Sequence, residues 1–212
     1  MARYTDSVCK LCRREGEKLF LKGARCFSPK CAFEKRGFAP GQHGKTRQGR
    51  TERESDYARQ LRAKQRARRV YGIMERQFRR YFSVAQHQRG VTGTNLLQTL
   101  ELRLDNVVFR MGLAENRSQA RQLVNHGHFT VNGHRADIPS MILQPGDTLN
   151  VSAASKNTTY FKEVADLAEK RPCAVWMDRD LKGLSGRVLR LPERAEIDGN
   201  LNEQLIVEYY SR

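Results

Sequence analysis

Four cysteines near the start of the chain, Cys9, Cys12, Cys26 and Cys31, follow the spacing C-x2-C-x13-C-x4-C. Two close pairs joined by a loop of this length can converge on one tetrahedral ion, with metal–sulfur distances of about 2.3 Å. Gly23 and Pro29 suit the loop between the pairs and the knuckle of the second pair. With four thiolates in place, no position is left open for water or substrate, so the expected metal is structural. One zinc ion is expected; an iron–sulfur cluster is the alternative, because four thiolates hold either and spacing does not separate them. A redox CxxC would need a helix start in a thioredoxin-like βαβ unit, and no such pattern surrounds Cys9 and Cys12. Cys173, alone in PCAVWM, reads as a small buried hydrophobe.

The charge of the chain points to the partner. Among 212 residues, 39 Lys and Arg stand against 23 Asp and Glu, a net +16. Residues 1–50 hold 13 basic and 4 acidic side chains and residues 51–100 hold 11 and 4, whereas 101–150 hold 5 and 5 and 151–212 hold 10 and 10. The whole excess therefore lies in the first hundred residues. A solvated surface intersperses both signs, while a phosphate backbone calls for a concentrated positive field. Nucleic acid is thus favoured over a membrane: no apolar run approaches the roughly 18 residues of a spanning helix, and MARYTDSVCK lacks the apolar core of a signal peptide. A cytoplasmic location is expected, where thiols stay reduced and cysteine clusters serve metals more often than disulfides.

The elements that must position these groups read as α+β. Residues 1–45 form a metal-knuckle arm, with Lys22, Lys30 and Arg36 as candidate RNA contacts among the cations around the cysteines. From Gly37 to Arg50 the glycines and proline of a strap forbid a stable helix, and His43, Lys45, Arg47 and Arg50 are candidate phosphate or base contacts on it. Residues 46–100 with 195–212 form a mainly helical domain. In SDYARQLRAKQRARRVYG, Ser55 caps a helix and Gly72 stops it. Arg59, Arg62, Arg66 and Arg69 fall on one face with no acidic residue between them, an arginine stripe that calls for a partner. IMERQFRRYFSVAQHQRG and TNLLQTLELRL predict two further helices, the first with Ile73, Phe78, Tyr81, Phe82 and Val84 in its core stripe.

Residues 101–194 read as an α/β domain. Asp105 is a cap for a short helix ending at Gly112, and Asn116 with Gln119 forms a capping box for a helix through Asn125, ended by Gly127. Phe129 and Val131 alternate before Asn132-Gly133, a type I′ hairpin signal, and Pro145-Gly146-Asp147 leads into a strand with Leu149 and Val151. With Ala120, Leu123 and Val124 facing inward, Arg117, Ser118, Arg121, Gln122 and Asn125 are expected outward, a surface suited to phosphates and sugar hydroxyls. Arg103, Arg110, His126 and His128 join the candidate RNA contacts. Residues 157–170 predict an amphipathic helix, AVWMDRDLKGLSGRVLRLP strands joined by a turn, and NLNEQLIVEYYS a helix returning to the first domain.

The run RLDNVVFRMG, ARQLVNHGH, TVNG and PGD resembles the αL-type RNA-binding module, here about 102–165, named for small-subunit ribosomal protein number four. The cysteine knuckle, PGQHG, the arginine helix, LPER and NEQLIVEYYS extend the likeness to the bacterial family of that protein, in its four-cysteine variant, over essentially the whole chain. The resemblance implies a primary binder of small-subunit ribosomal RNA that nucleates assembly of the subunit body. It also implies neighbours in small-subunit proteins three and five, an influence on translational accuracy, and contact with messenger RNA at the entry channel, with Lys45, Arg47 and Arg50 as channel or ribosomal-RNA contacts. Some family members repress their own operon. No enzyme activity, membrane association or homo-oligomer is expected. Pseudouridine synthases carry the same module and a catalytic aspartate in an RLD string, but Arg103-Leu104-Asp105 runs straight into the module and little chain remains for a catalytic domain. A zinc-dependent DNA regulator is disfavoured because no recognition helix follows the knuckle.

Overall fold

The computed structural model describes residues 3–42, 44, 55–169, 171–198 and 200–211, leaving aside the side chains of 165–167. His43, Lys45, Arg47 and Arg50 lie outside the described residues. The chain divides into two units, one of residues 1–94 with 200–212 and one of residues 95–199. Among the described residues no helix is long and apolar enough to cross a membrane.

The first unit is helical. Helix α1 (Cys9–Glu15) ends on Gly16 at φ +73°, a left-handed cap that glycine adopts without Cβ strain. A 3-10 turn over Gly23–Phe27 and helix α2 (Ala32–Lys35) complete the arm. Helix α3 (Asp56–Val70) starts where the Ser55 hydroxyl accepts from the Ala58 amide at 3.2 Å, and the chain turns out of it at Gly72, φ +64°. Helix α4 (Glu75–His87) buries Phe78, Tyr81, Phe82 and Ala85 on one face, as its 3.6-residue pattern requires, whereas Val84, expected in that stripe, falls off it and is exposed. The closing segment, ambiguous by pattern, is helix α10 (Glu203–Tyr210), capped by Asn202. It lies along α3, where Gln60 Nε2 donates to Glu208 Oε2 at 2.9 Å and the Tyr57 and Tyr209 rings sit 5.9 Å apart. Tyr210 stacks on Phe82 at 4.6 Å.

Helix α5 (Thr92–Glu101) leads into the second unit, which contains α6 (Leu104–Arg110) and α7 (Arg117–Asn125). Its five-stranded antiparallel sheet comprises β1 (Phe129–Val131), β2 (His134–Ala136), β3 (Thr148–Val151), β4 (Met177–Asp180) and β5 (Ser185–Val188), in the order β2-β1-β3-β5-β4. Short α8 (Ala153–Lys156) and α9 (Thr159–Glu169) connect β3 to β4. The hairpin turn is of the expected type, with both Asn132 (φ +50°) and Gly133 (φ +83°) left-handed. The two strands in the later segment enlarge the same sheet: β5 pairs with β3, and β4 pairs with β5 at the edge. One core holds Val108, Ala120, Val124, Phe129, Phe161 and Trp176, each at most 1% exposed.

Candidate RNA-binding surface and cysteine cluster

The cysteines of the arm lie on three short elements. Cys9 and Cys12 lie on α1, Cys26 on the 3-10 turn, and Cys31 is the N-cap residue of α2. Cys12, Cys26 and Cys31 are buried, and all five thiols of the chain are free. The Lys22 amide donates to Cys26 Sγ at 3.3 Å. Burial pushes the Cys12 thiol up; the Leu19 amide, bonded to it, opposes that rise, and Cys26, Cys9 and Cys31 are close enough to add to it. Among the described residues no three His, Cys, Asp or Glu side chains form a ready metal-coordinating group. The residue types nevertheless suit a soft or borderline cation: four thiols, with backbone N–H groups donating to the sulfurs of Cys12 and Cys26. Lys22, Lys30 and Arg36 are exposed around it.

The arginine stripe of α3 is not a free cationic face. Most of its acids arrive from elsewhere: Arg62 Nη1 lies 3.2 Å from Glu15 Oε1, Arg69 binds the same oxygen and Arg66 pairs with Glu17, while Arg59 pairs with Asp56 in the helix's own first turn. Glu15 has a fully buried side chain, and burial raises its pKa even though Arg69, Arg62, Arg66 and Arg14 pull it down. The desolvation of this carboxylate thus outweighs the attraction of four guanidinium groups. The stripe therefore ties the arm to α3 instead of waiting wholly for a partner. Part of it still meets solvent, because Arg59, Arg62 and Arg66, with Arg13, Arg14 and Glu15, line a cavity of about 540 Å³. On the far side of α3, buried Lys64 reaches Glu75 at 3.0 Å and lies 4.5 Å over the Tyr209 ring. Tyr210 donates to Glu75 at 2.8 Å, and burial together with that carboxylate raises the phenol's pKa. Burial alone would raise Glu75; hydrogen bonds from Lys64 and Tyr210 and the charges of Lys64 and Arg68 bring it below the ordinary glutamate value.

In the second unit the predicted outward face of α7 divides. Ser118, Gln122, Asn125 and the following His126 are exposed. Arg121 instead turns inward at 6% exposure, and Arg103 is wholly buried. Both guanidinium groups grip Asp105, which is therefore not the helix cap expected from sequence: Arg103 is the N-cap residue of α6, without a side-chain cap bond, and Asp105 lies inside the helix. Arg103 and Arg121 thus leave the contact surface, because a buried ion pair cannot meet a phosphate without unpacking. Arg110 makes two hydrogen bonds to buried Glu101, at 2.7 and 2.9 Å, and Arg117 bonds Asn106 Oδ1 at 2.8 Å. Both also reach Asp198; burial opposes ionisation of that carboxylate, but the two arginines hold its pKa below the ordinary aspartate value. Arg110 and Arg117 remain partly exposed. Asn116 caps α7 as expected, its Oδ1 accepting from the Gln119 amide at 2.9 Å, while Gln119 returns to the Glu115 amide, one residue short of a closed capping box. His128 Nδ1 lies 2.9 Å from Ser155 Oγ, and burial, then His126, lowers its pKa.

Sequence reasoning missed three exposed arginines on α4, Arg76, Arg79 and Arg80. Their signal was present in ERQFRRYF, since the core stripe through Phe78, Tyr81 and Phe82 leaves these positions on the outer face.

Residues 3–101 match the family model described as the ribosomal protein S4/S9 N-terminal domain, and residues 102–149 match the S4 domain. The chain is 58% identical over 213 residues to the small ribosomal subunit protein uS4 of Heliobacterium modesticaldum, and 54% identical over 212 residues to those of Syntrophomonas wolfei and Thermodesulfovibrio yellowstonii. Each alignment covers 100% of this chain and 100% of the relative.

Proposed function

Because the chain belongs to the uS4 family of small ribosomal subunit proteins, we propose that it binds small-subunit ribosomal RNA early and nucleates assembly of the subunit body. It is a structural constituent of the ribosome and not an enzyme. The observation that carries the reading is the full-length match to uS4 relatives through both family segments. Contact is assigned to the exposed polar face of α7 at Ser118, Gln122 and Asn125, to His126 and the partly exposed Arg110, Arg117 and His128, and to the arm cations Lys22, Lys30 and Arg36. His43, Lys45, Arg47 and Arg50 belong to the same proposal as messenger-entry or ribosomal-RNA contacts. Neighbouring small-subunit proteins three and five, an effect on translational accuracy and repression of the protein's own messenger complete it. In a bacterium this role is carried out on cytoplasmic ribosomes.

The proposal extends to the arm: Cys9, Cys12, Cys26 and Cys31 hold one zinc ion, or an iron–sulfur cluster, as the four-cysteine form of the family. A bound ion would cross-link α1, the 3-10 turn and α2, three elements too short to bury a core of their own.

The test is competition between small-subunit ribosomal RNA and duplex DNA at fixed salt. Preference for the RNA, with log affinity falling against log salt by roughly 0.7–0.9 per phosphate neutralised, is the expected result. Equal affinity for both nucleic acids would remove the proposal that the chain recognises small-subunit ribosomal RNA specifically.

A further inference from the structure

Helix α4 presents a cationic face that the ion pairs of its unit do not reach. Arg76, Arg79 and Arg80 are exposed, and Ser83 and His87 continue the same side at spacings of three and four. Glu75, the only carboxylate of the helix, has the i,i+4 spacing to pair with Arg79, yet it is turned to Lys64, Arg68 and Tyr210. Arg59, Arg62, Arg66, Arg68 and Arg69 each pair with a carboxylate. Among the described residues no carboxylate lies within salt-bridge distance of Arg76, Arg79 or Arg80. Like charges one turn apart cost a few tenths of a kcal/mol per pair, and among the described residues no acid offsets that cost.

We infer that the outer face of α4 is a docking surface for the phosphate backbone of structured RNA. The inference rests on the RNA-binding function proposed above and identifies where part of that contact is made. Guanidinium groups bind phosphate oxygens through two parallel hydrogen bonds, and Ser83 and His87 extend the row of donors. From Arg76 to His87 the helix rises about 16 Å, enough to follow several phosphates along a strand. Acidic protein is the less suitable partner: stable protein interfaces centre on buried apolar or aromatic anchors, and the aromatic side chains of α4 are buried on its opposite face.

The experiment uses the full chain and a triple variant, Arg76→Gln, Arg79→Gln and Arg80→Gln, titrated against small-subunit ribosomal RNA over a range of salt concentrations. The expected variant binds more weakly, with a salt slope shallower by about 2–3, and melts at the wild-type temperature because the replaced side chains are exposed. A matching Arg→Lys triple variant is expected to keep most of the slope. Wild-type binding with an unchanged slope in the glutamine variant would overturn the α4 assignment and leave the function standing. Unchanged RNA binding with lost capture of small-subunit proteins would also overturn it, in favour of a protein partner. If the wild type fails to bind the RNA, the function and this inference fall together.

Discussion

Arg103 and Arg121, 18 positions apart in the chain, meet on one oxygen: Arg103 Nη2 lies 2.8 Å and Arg121 Nη1 3.1 Å from Asp105 Oδ2. All three side chains are buried, and the triad joins the start of α6 to the middle of α7. Removing the carboxylate leaves two buried cations facing each other. Asp105→Ala is expected to destabilise the protein by about 3–5 kcal/mol, read from chemical denaturation. A loss below about 1 kcal/mol would show that the pair is solvated in solution.

The link between the arm and α3 makes a second prediction. Arg62→Ala with Arg66→Ala releases Glu15 and Glu17 from two of their partners. Hydrogen-exchange protection of α1 is expected to fall roughly three- to tenfold, the scale of pair energies near 1 kcal/mol, with α6 and α7 unchanged. Uniform loss of protection would instead mean that the two arginines support the fold as a whole.

Asp198 sets a pH dependence. Its folded-state pKa is lowered by Arg110 and Arg117, so its contribution is fully present above the unfolded aspartate value of about 3.9 and is lost as pH falls through the lower folded value. The melting-temperature gap between wild type and Asp198→Asn should be constant near neutrality and close in acid. A gap that widens on acidification would reverse the assigned sign.

The cysteine proposal is tested by elemental analysis of anaerobically purified protein. One zinc per chain, without inorganic sulfide, is expected to disappear in Cys12→Ser, and its removal by a chelator should lower protection in α1 and α2. Iron with sulfide would select the cluster, and four freely titrating thiols without metal would remove both.

Gly186 reports on packing within the sheet. A Cβ built there would lie 2.5 Å from Met111 Cε and 2.8 Å from the Asp178 carbonyl oxygen. The methionine can move but the strand backbone cannot, so Gly186→Ala should cost about 1–3 kcal/mol in denaturation measurements.

Local signals were legible where one residue type answers one backbone demand. Ser55, Asn116, Asn132-Gly133 and Gly72 all do in the structure what their chemistry implies. The charged positions were harder, because their roles depend on partners distant in sequence. Periodicity places Arg121 between Ala120 and Val124, within reach of the core, but only the fold brings Asp105 to it and makes burial tolerable. The middle of the α3 stripe read as unpaired for the same reason, the carboxylate of Glu15 lying 47 positions from Arg62 and 54 from Arg69 along the chain. Conversely, Glu75 stood at the right spacing to neutralise Arg79, and only tertiary structure reveals that it is engaged elsewhere.

The pairing of α3 with α10 imposes a schedule on synthesis. Gln60 and Glu208 are separated by 148 positions, with the entire sheet unit encoded between them. At about 5–20 residues per second, α3 emerges on the order of ten seconds before the helix that covers Lys64 with its tyrosines. During that interval the nascent chain carries an uncovered ammonium group and an unfinished helical layer, so the later-encoded sheet unit can mature first.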